Sequence, residues 1–220
     1  MFPNVDWEIM LEETWQTIYM TLVAGGATFA FGLALGMILY VTNEPLMMKN
    51  RSIYTVVSAF VNVFRSIPFI ILIILLIPFT KIVVGTILGS TAALPALIIG
   101  AAPFYARMVE LALREIDRGV IEAAESMGAT KWQIIYKVLF PEALPAIVSG
   151  ITVTLVAIVG YTAMAGVVGG GGLGNLAFLD GFQRSRNDVT FVATVLILVI
   201  VFVIQFIGDR LVTRIDKRSA

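Results

Sequence analysis

Residues 121–145 read IEAAESMGATKWQIIYKVLFPEALP. This is the longest polar interval in a chain otherwise dominated by apolar runs. It holds charges and good helix formers, a glycine at 128, and a proline at 141 where the next apolar run begins. Glycine readily takes the left-handed conformation that ends a helix and turns the chain. The pattern therefore predicts a short helix, a turn at Gly128 and a second short helix, with the polar segment spanning residues 117–140. That shape suits a knob held out of a membrane for something else to grip.

The chain around it is membrane-like. Of 220 residues, 59% are hydrophobic and 14% charged, against about a quarter charged in soluble domains. The formal net charge is zero, which argues against a nucleic-acid binder. There is no cysteine and no histidine. Disulfides, ordinary zinc sites, thiol nucleophiles and the commonest general base are excluded together. The first 17 residues hold Asp6, Glu8, Glu12 and Glu13 but no Lys or Arg, so no cleavable signal peptide is expected.

A membrane-crossing helix needs about 20 mostly apolar residues. Five stretches qualify: residues 18–41, 53–79, 92–113, 141–168 and 189–207. The expected fold class is all-α, a polytopic membrane protein forming one transmembrane domain over residues 1–220. Gly32 and Gly36 make a small-xxx-small pair that lets two helices approach closely. Arg65 interrupts the second stretch, which also carries Pro68 and Pro78, and Pro95 and Pro103 lie in the third. Residues 85–91 read as a loop or re-entrant turn. Barrel strands would be alternating segments of about ten residues, and these are not.

Lys and Arg set the orientation. Eleven share one side: Lys49, Arg51, Arg107, Arg114, Arg118, Lys131, Lys137, Arg210, Arg214, Lys217 and Arg218. Three take the other: Lys81, Arg184 and Arg186. The polar segment is thus expected in the cytoplasm, with the N-terminus outside and the C-terminus inside.

With the segment on the cytoplasmic side, its motif becomes specific. Glu122-Ala123-Ala124, three residues, Gly128, nine residues and Val138-x-Phe140-Pro141 resembles the EAA motif of permease subunits in bacterial ABC importers. The family pattern usually ends Ile-x-Leu-Pro, so Val138 and Phe140 are conservative departures. The chain from about Trp15 onward is similar to the methionine-type branch. Arg65-Ser66-Ile67-Pro68-Phe69, GAAPFYARMVE at 100–110, residues 121–145, GYTAMAGVVGGGGLG at 160–174 and QFIGDR at 205–210 carry this likeness.

The resemblance implies coupling helices seated in a groove of an ATPase subunit, with Glu122, Ala123, Ala124, Gly128, Ala129 and Trp132 as the coupling residues. Small side chains at 123 and 124 allow close packing, and Ala129, Trp132 and Ile135 offer apolar contacts at helical spacing. It further implies two cytoplasmic ATPase subunits that bind ATP and Mg, an extracytoplasmic solute-binding lipoprotein, and a bacterial inner-membrane location. No cofactor is expected in this chain itself, and no catalytic or metal-binding residue. One five-span chain is too small to enclose a gated pathway, so a two-fold homodimer is expected.

Within the spans, Arg65 reads either as a pathway residue that anchors a carboxylate or as a structural partner of helix carbonyls or Asn62. Met164 reads as a deformable constriction or as packing, and Tyr161 as a pathway-lining residue. Arg107 and Glu110 read as an interfacial ion pair or as part of a gate, and Glu110 and Arg114, four apart, can pair on one helix face. Asn62 and Gln205 suit interhelical hydrogen bonds. The glycines at 169–174 match G-x-G-x-x-G but follow a span and lack a βαβ unit, so they read as a tight outer turn or as a place of close approach for a docking partner, followed by a polar loop holding Asp180, Arg184, Arg186 and Asp188. The expected function is a non-enzymatic permease subunit importing methionine, the L form first and the D form second, by alternating access. The alternatives are an ABC permease for another small solute and an ion-coupled transporter. The latter normally holds deep acidic groups, which the interior of these spans lacks.

Overall fold

Asp6 starts the first helix by accepting the backbone N–H groups of Glu8 and Ile9, as an N-cap does. Helix α1 (Trp7–Asn43) then runs on for 37 residues. It is apolar all round through its middle, as a span must be. The expected span at 18–41 lies inside it, and the acidic arm before residue 18 is helical too. This structure is a computed structural model describing residues 2–216, so Lys217 and Arg218 of the basic tail lie outside the described residues.

Helix α5 (Ser90–Arg114) packs along α1. The pairing depends on the two expected small residues. A Cβ at Gly32 would lie 2.7 Å from Tyr105 Cδ1, and one at Gly36 would lie 2.5 Å from the Ala106 carbonyl oxygen. The backbones could not approach this closely around larger side chains. Helix α8 (Phe140–Val167) packs against both, and α10 (Asn187–Ile215) packs against α8. The Tyr105 hydroxyl donates to the Ile147 carbonyl at 3.2 Å, closing the α5–α8 seam.

The second expected span departs from a straight helix. Residues 53–79 form α2 (Arg51–Ser66), α3 (Phe69–Leu75) and the start of α4 (Ile77–Val84). The bend between α2 and α3 is 106°. Pro68 is the cause: it disfavours helical geometry at the preceding residue, and Ile67 is extended at φ −81°, ψ 123°. Among the described residues four helices are long and apolar enough to cross a membrane, and the bent pair makes a fifth only if α2 and α3 together form one broken span rather than a re-entrant loop.

Two further expectations are corrected. The second short helix of the polar segment is not separate. Helix α7 (Lys131–Ile134) passes through a π-helical turn at Ile135–Leu139 directly into α8. Nor is the segment after the glycines a polar loop. Helix α9 (Gly172–Leu176) and a π-helical stretch at Ala177–Gln183 fold back against α8 and α10.

Candidate functional site

The hairpin at residues 117–140 is built by three local devices. Asp117 caps α6 (Arg118–Ser126) by accepting the Gly119 N–H at 2.6 Å. At its other end the Gly128 N–H donates to the Glu125 carbonyl at 2.8 Å and the Ala129 N–H to the Ala124 carbonyl at 3.0 Å. This pair of bonds is a Schellman motif, which needs a left-handed residue, and Gly128 has φ +81°. Thr130 and Gln133 then form a capping box that starts α7.

The hairpin is fastened to the body. Ile121, Ala124, Ile134, Ile135 and Leu139 sink into a core shared with Tyr40, Met47 and Leu113. Lys131 bonds to Glu125 and to the Leu46 carbonyl, and Arg118 pairs with Glu44 at 3.5 Å. What faces outward is a mixed apolar surface. Met127 is 82% exposed and Trp132 60%, and Glu122, Ala123 and Gly128 are exposed beside them.

The expected coupling residues therefore divide. Glu122, Ala123, Gly128 and Trp132 are exposed and Ala129 is half-buried. Ala124 and Ile135 belong to the chain's own core, so the small surface expected from Ala123 and Ala124 together is Ala123 alone. Trp132 stacks on Tyr136 with ring centroids 6.2 Å apart, and both border an apolar groove of about 700 Å³ beside α1. Sequence reasoning missed Met127, although a methionine immediately before the turn glycine was a usable signal.

Behind the hairpin, Glu110 is fully buried and bonded to two arginines. Arg107 donates to its carboxylate from one turn earlier, and Arg114 donates to the same carboxylate at 2.5 Å from one turn later. Arg114 also donates to the Tyr54 hydroxyl at 3.4 Å. Spacing had suggested pairs; the structure makes one carboxylate the hub of both.

Two of the membrane-embedded candidates meet at the break in the second span. Arg65 stands at the end of α2 and Tyr161 on α8. Both line a cavity of about 260 Å³ with Phe64, Phe69 and Phe104. The Tyr161 and Phe69 rings stack at 4.5 Å, a contact that no linear pattern reveals. Met164, one turn beyond Tyr161, is 47% exposed and does not line this cavity. Asn62 donates to Ser58 within its own helix at 3.4 Å, rather than to another helix. Gln205 is exposed.

The glycine-rich turn approaches the chain's own α1. The Gly172 N–H donates to Gln16 and the Leu173 N–H to Thr17. A Cβ at Gly174 would lie 2.3 Å from Ala163 Cα. Leu173 and Leu176 are buried beneath it. Their i, i+3 spacing was the signal for a helix there, masked by the charges that follow.

An all-helical body with a hairpin of this EAA pattern can be compared with known proteins. Residues 12–220 match the family model described as binding-protein-dependent transport system inner membrane component. The chain belongs to that family. This permease is 58% identical to the methionine import system permease protein MetP of Bacillus subtilis (strain 168), over 99% of this chain and 98% of the relative. It is 50% identical to the probable D-methionine transport system permease protein MetI of Vibrio cholerae, over 96% of this chain and 94% of that one. Among solved structures it is similar to an inward-facing MetNI methionine ABC transporter, with TM-score 0.94 and 48% identity over 96% of this chain and 98% of the other. The permease is accordingly a multi-pass membrane transport component.

Proposed function

We propose that this chain is the permease of an ATP-driven methionine importer, working by alternating access as a two-fold homodimer. Two ATPase subunits dock on the cytoplasmic hairpins and carry the ATP and Mg, and a solute-binding lipoprotein delivers substrate outside. The N-terminus is extracytoplasmic and the C-terminus cytoplasmic. The whole chain acts as a single transmembrane domain of the inner membrane.

The observation that carries this reading is the hairpin's outer surface. Met127 and Trp132 are largely exposed on the Lys- and Arg-rich side of the protein, an arrangement that suits a docking partner. Glu122, Ala123, Gly128, Ala129 and Trp132 make that contact, and Ala124 supports it from behind. Because α7 runs into α8 without a break, a push on the hairpin reaches the membrane as movement of one rigid rod. Met164, Arg65 and Tyr161 lie along the pathway that this rod opens and closes. The names of the relatives support methionine as the solute.

Uptake of labelled methionine into proteoliposomes holding the permease, its ATPase and its binding protein tests the reading. Uptake should require ATP and the binding protein, and should survive collapse of the proton gradient. Uptake lost on collapse with ATP still supplied would make the chain an ion-coupled transporter instead.

A further inference from the structure

Among the described residues, Arg65 is a deep charge without an ion pair. With α2 rising about 1.5 Å per residue, it stands roughly 21 Å along the helix from Arg51, in a hydrocarbon layer about 30 Å thick. A charge there is costly and normally faces a cavity or a partner. Glu110, the carboxylate of the neighbouring α5, is already bonded to Arg107 and Arg114. What Arg65 faces instead is the cavity at the α2–α3 break, about 260 Å³ in volume. That is below the ~300–1,000 Å³ of drug-sized pockets and suits one small solute.

The remaining walls are aromatic and apolar: Phe64, Phe69, Phe104, Tyr161 and Leu72. A cationic fork at one side and ring edges around the rest match a solute with a carboxylate and an apolar, polarisable side chain. Guanidinium binds carboxylate through two parallel N–H bonds, and a thioether gains from ring contacts.

We propose that Arg65 with the Phe64, Phe69, Phe104 and Tyr161 rings forms a solute subsite inside the permease, where the guanidinium takes the carboxylate of an apolar α-amino acid and the rings take its side chain. The identity of that amino acid as methionine rests on the function proposed above. The subsite gives the break at Pro68 a purpose: a straight continuation of α2 would not fold Phe69 back against Tyr161.

The test uses the assembled permease–ATPase complex in lipid nanodiscs, without binding protein, and a photoreactive diazirine analogue of methionine as probe. After irradiation, labelled peptides should contain residues 64–72, 104 or 161, and excess methionine should suppress them. Arg65→Gln should lower the yield about tenfold, the worth of one charge-assisted bond, and Arg65→Lys should lower it less. Should Arg65→Gln fail to assemble, Gly100→Ala serves, because its Cβ would press on Phe69 at 3.2 Å and Leu72 at 3.3 Å; the yield should again fall. Labelling elsewhere, or yields unchanged in the assembled variants, overturns the subsite. Methionine uptake by the complete wild-type transporter is measured in parallel. Uptake present with labelling elsewhere removes the subsite alone, whereas uptake absent removes the functional reading and the subsite together.

Discussion

Glu110 shows how one side chain constrains the hairpin end of the bundle. Its carboxylate has no exposed surface, yet it is bonded to two guanidinium groups from its own helix. Desolvating a carboxylate costs several kcal/mol unless its partners are well placed, and here Arg107 and Arg114 lie one helical turn to either side. Removing the carboxylate leaves two positive groups facing each other beside buried apolar residues. Glu110→Gln should therefore destabilise the protein by about 3–5 kcal/mol, seen as a lower melting temperature of the detergent-solubilised complex. Arg114→Gln should cost much less, since the Arg114 side chain is 40% exposed and water screens its share. Equal losses in the two variants would mean that the carboxylate is not the hub.

At the scale of elements, the hairpin depends on Gly128. No atom lies within 4 Å of where its Cβ would be, so a substitution there meets open space and the cost is purely that of backbone conformation. A β-branched residue in the left-handed region costs about 1–2 kcal/mol, while asparagine tolerates it. Gly128→Val should lose ATPase co-purification or transport coupling, and Gly128→Asn should keep both. A valine variant that still couples hydrolysis to uptake would show that the turn is not what the ATPase reads. This turn was legible in the sequence because glycine spacing and helix formers on both sides leave few options. The continuity of α7 with α8 was not, because Pro141 reads as a helix start. The π-helical turn at Ile135–Leu139 precedes it and absorbs the irregularity that its missing N–H creates. The inward turn of Ala124 was hidden for a different reason: alanine suits either face, and only its spacing of three from buried Ile121 marks the core side. In the second span the apolar composition hid the signal of Pro68, which disfavours helical geometry at the residue before it. The stacking of Phe69 on Tyr161 joins positions far apart in the chain, and no local pattern carries it.

For the whole molecule, α2 leaves a polar face without cover. At 100° per residue, Ser58, Asn62, Thr55 and Ser66 fall within an arc of about 80°, and Thr55, Asn62 and Ser66 are exposed. Val56, Phe60 and Val63 occupy the opposite side and are exposed as well. One membrane-embedded helix thus shows two unlike surfaces, and lipid suits only the apolar one. The polar arc ends at Arg65 and the cavity, so it should face the water-filled pathway that a pair of chains encloses. Since the chain has no cysteine, a single introduced thiol reports its own surroundings. In proteoliposomes, Thr55→Cys and Asn62→Cys should react with a charged, membrane-impermeant thiol reagent. Val56→Cys and Phe60→Cys should react much more slowly, because the reagent needs thiolate and water that lipid denies it. ATP binding should change the rates at 55 and 62 and leave those at 56 and 60 as they were, since alternating access alters exposure to the pathway and not to lipid. Similar reaction at all four positions would place α2 away from any pathway and require the polar arc to be covered by protein.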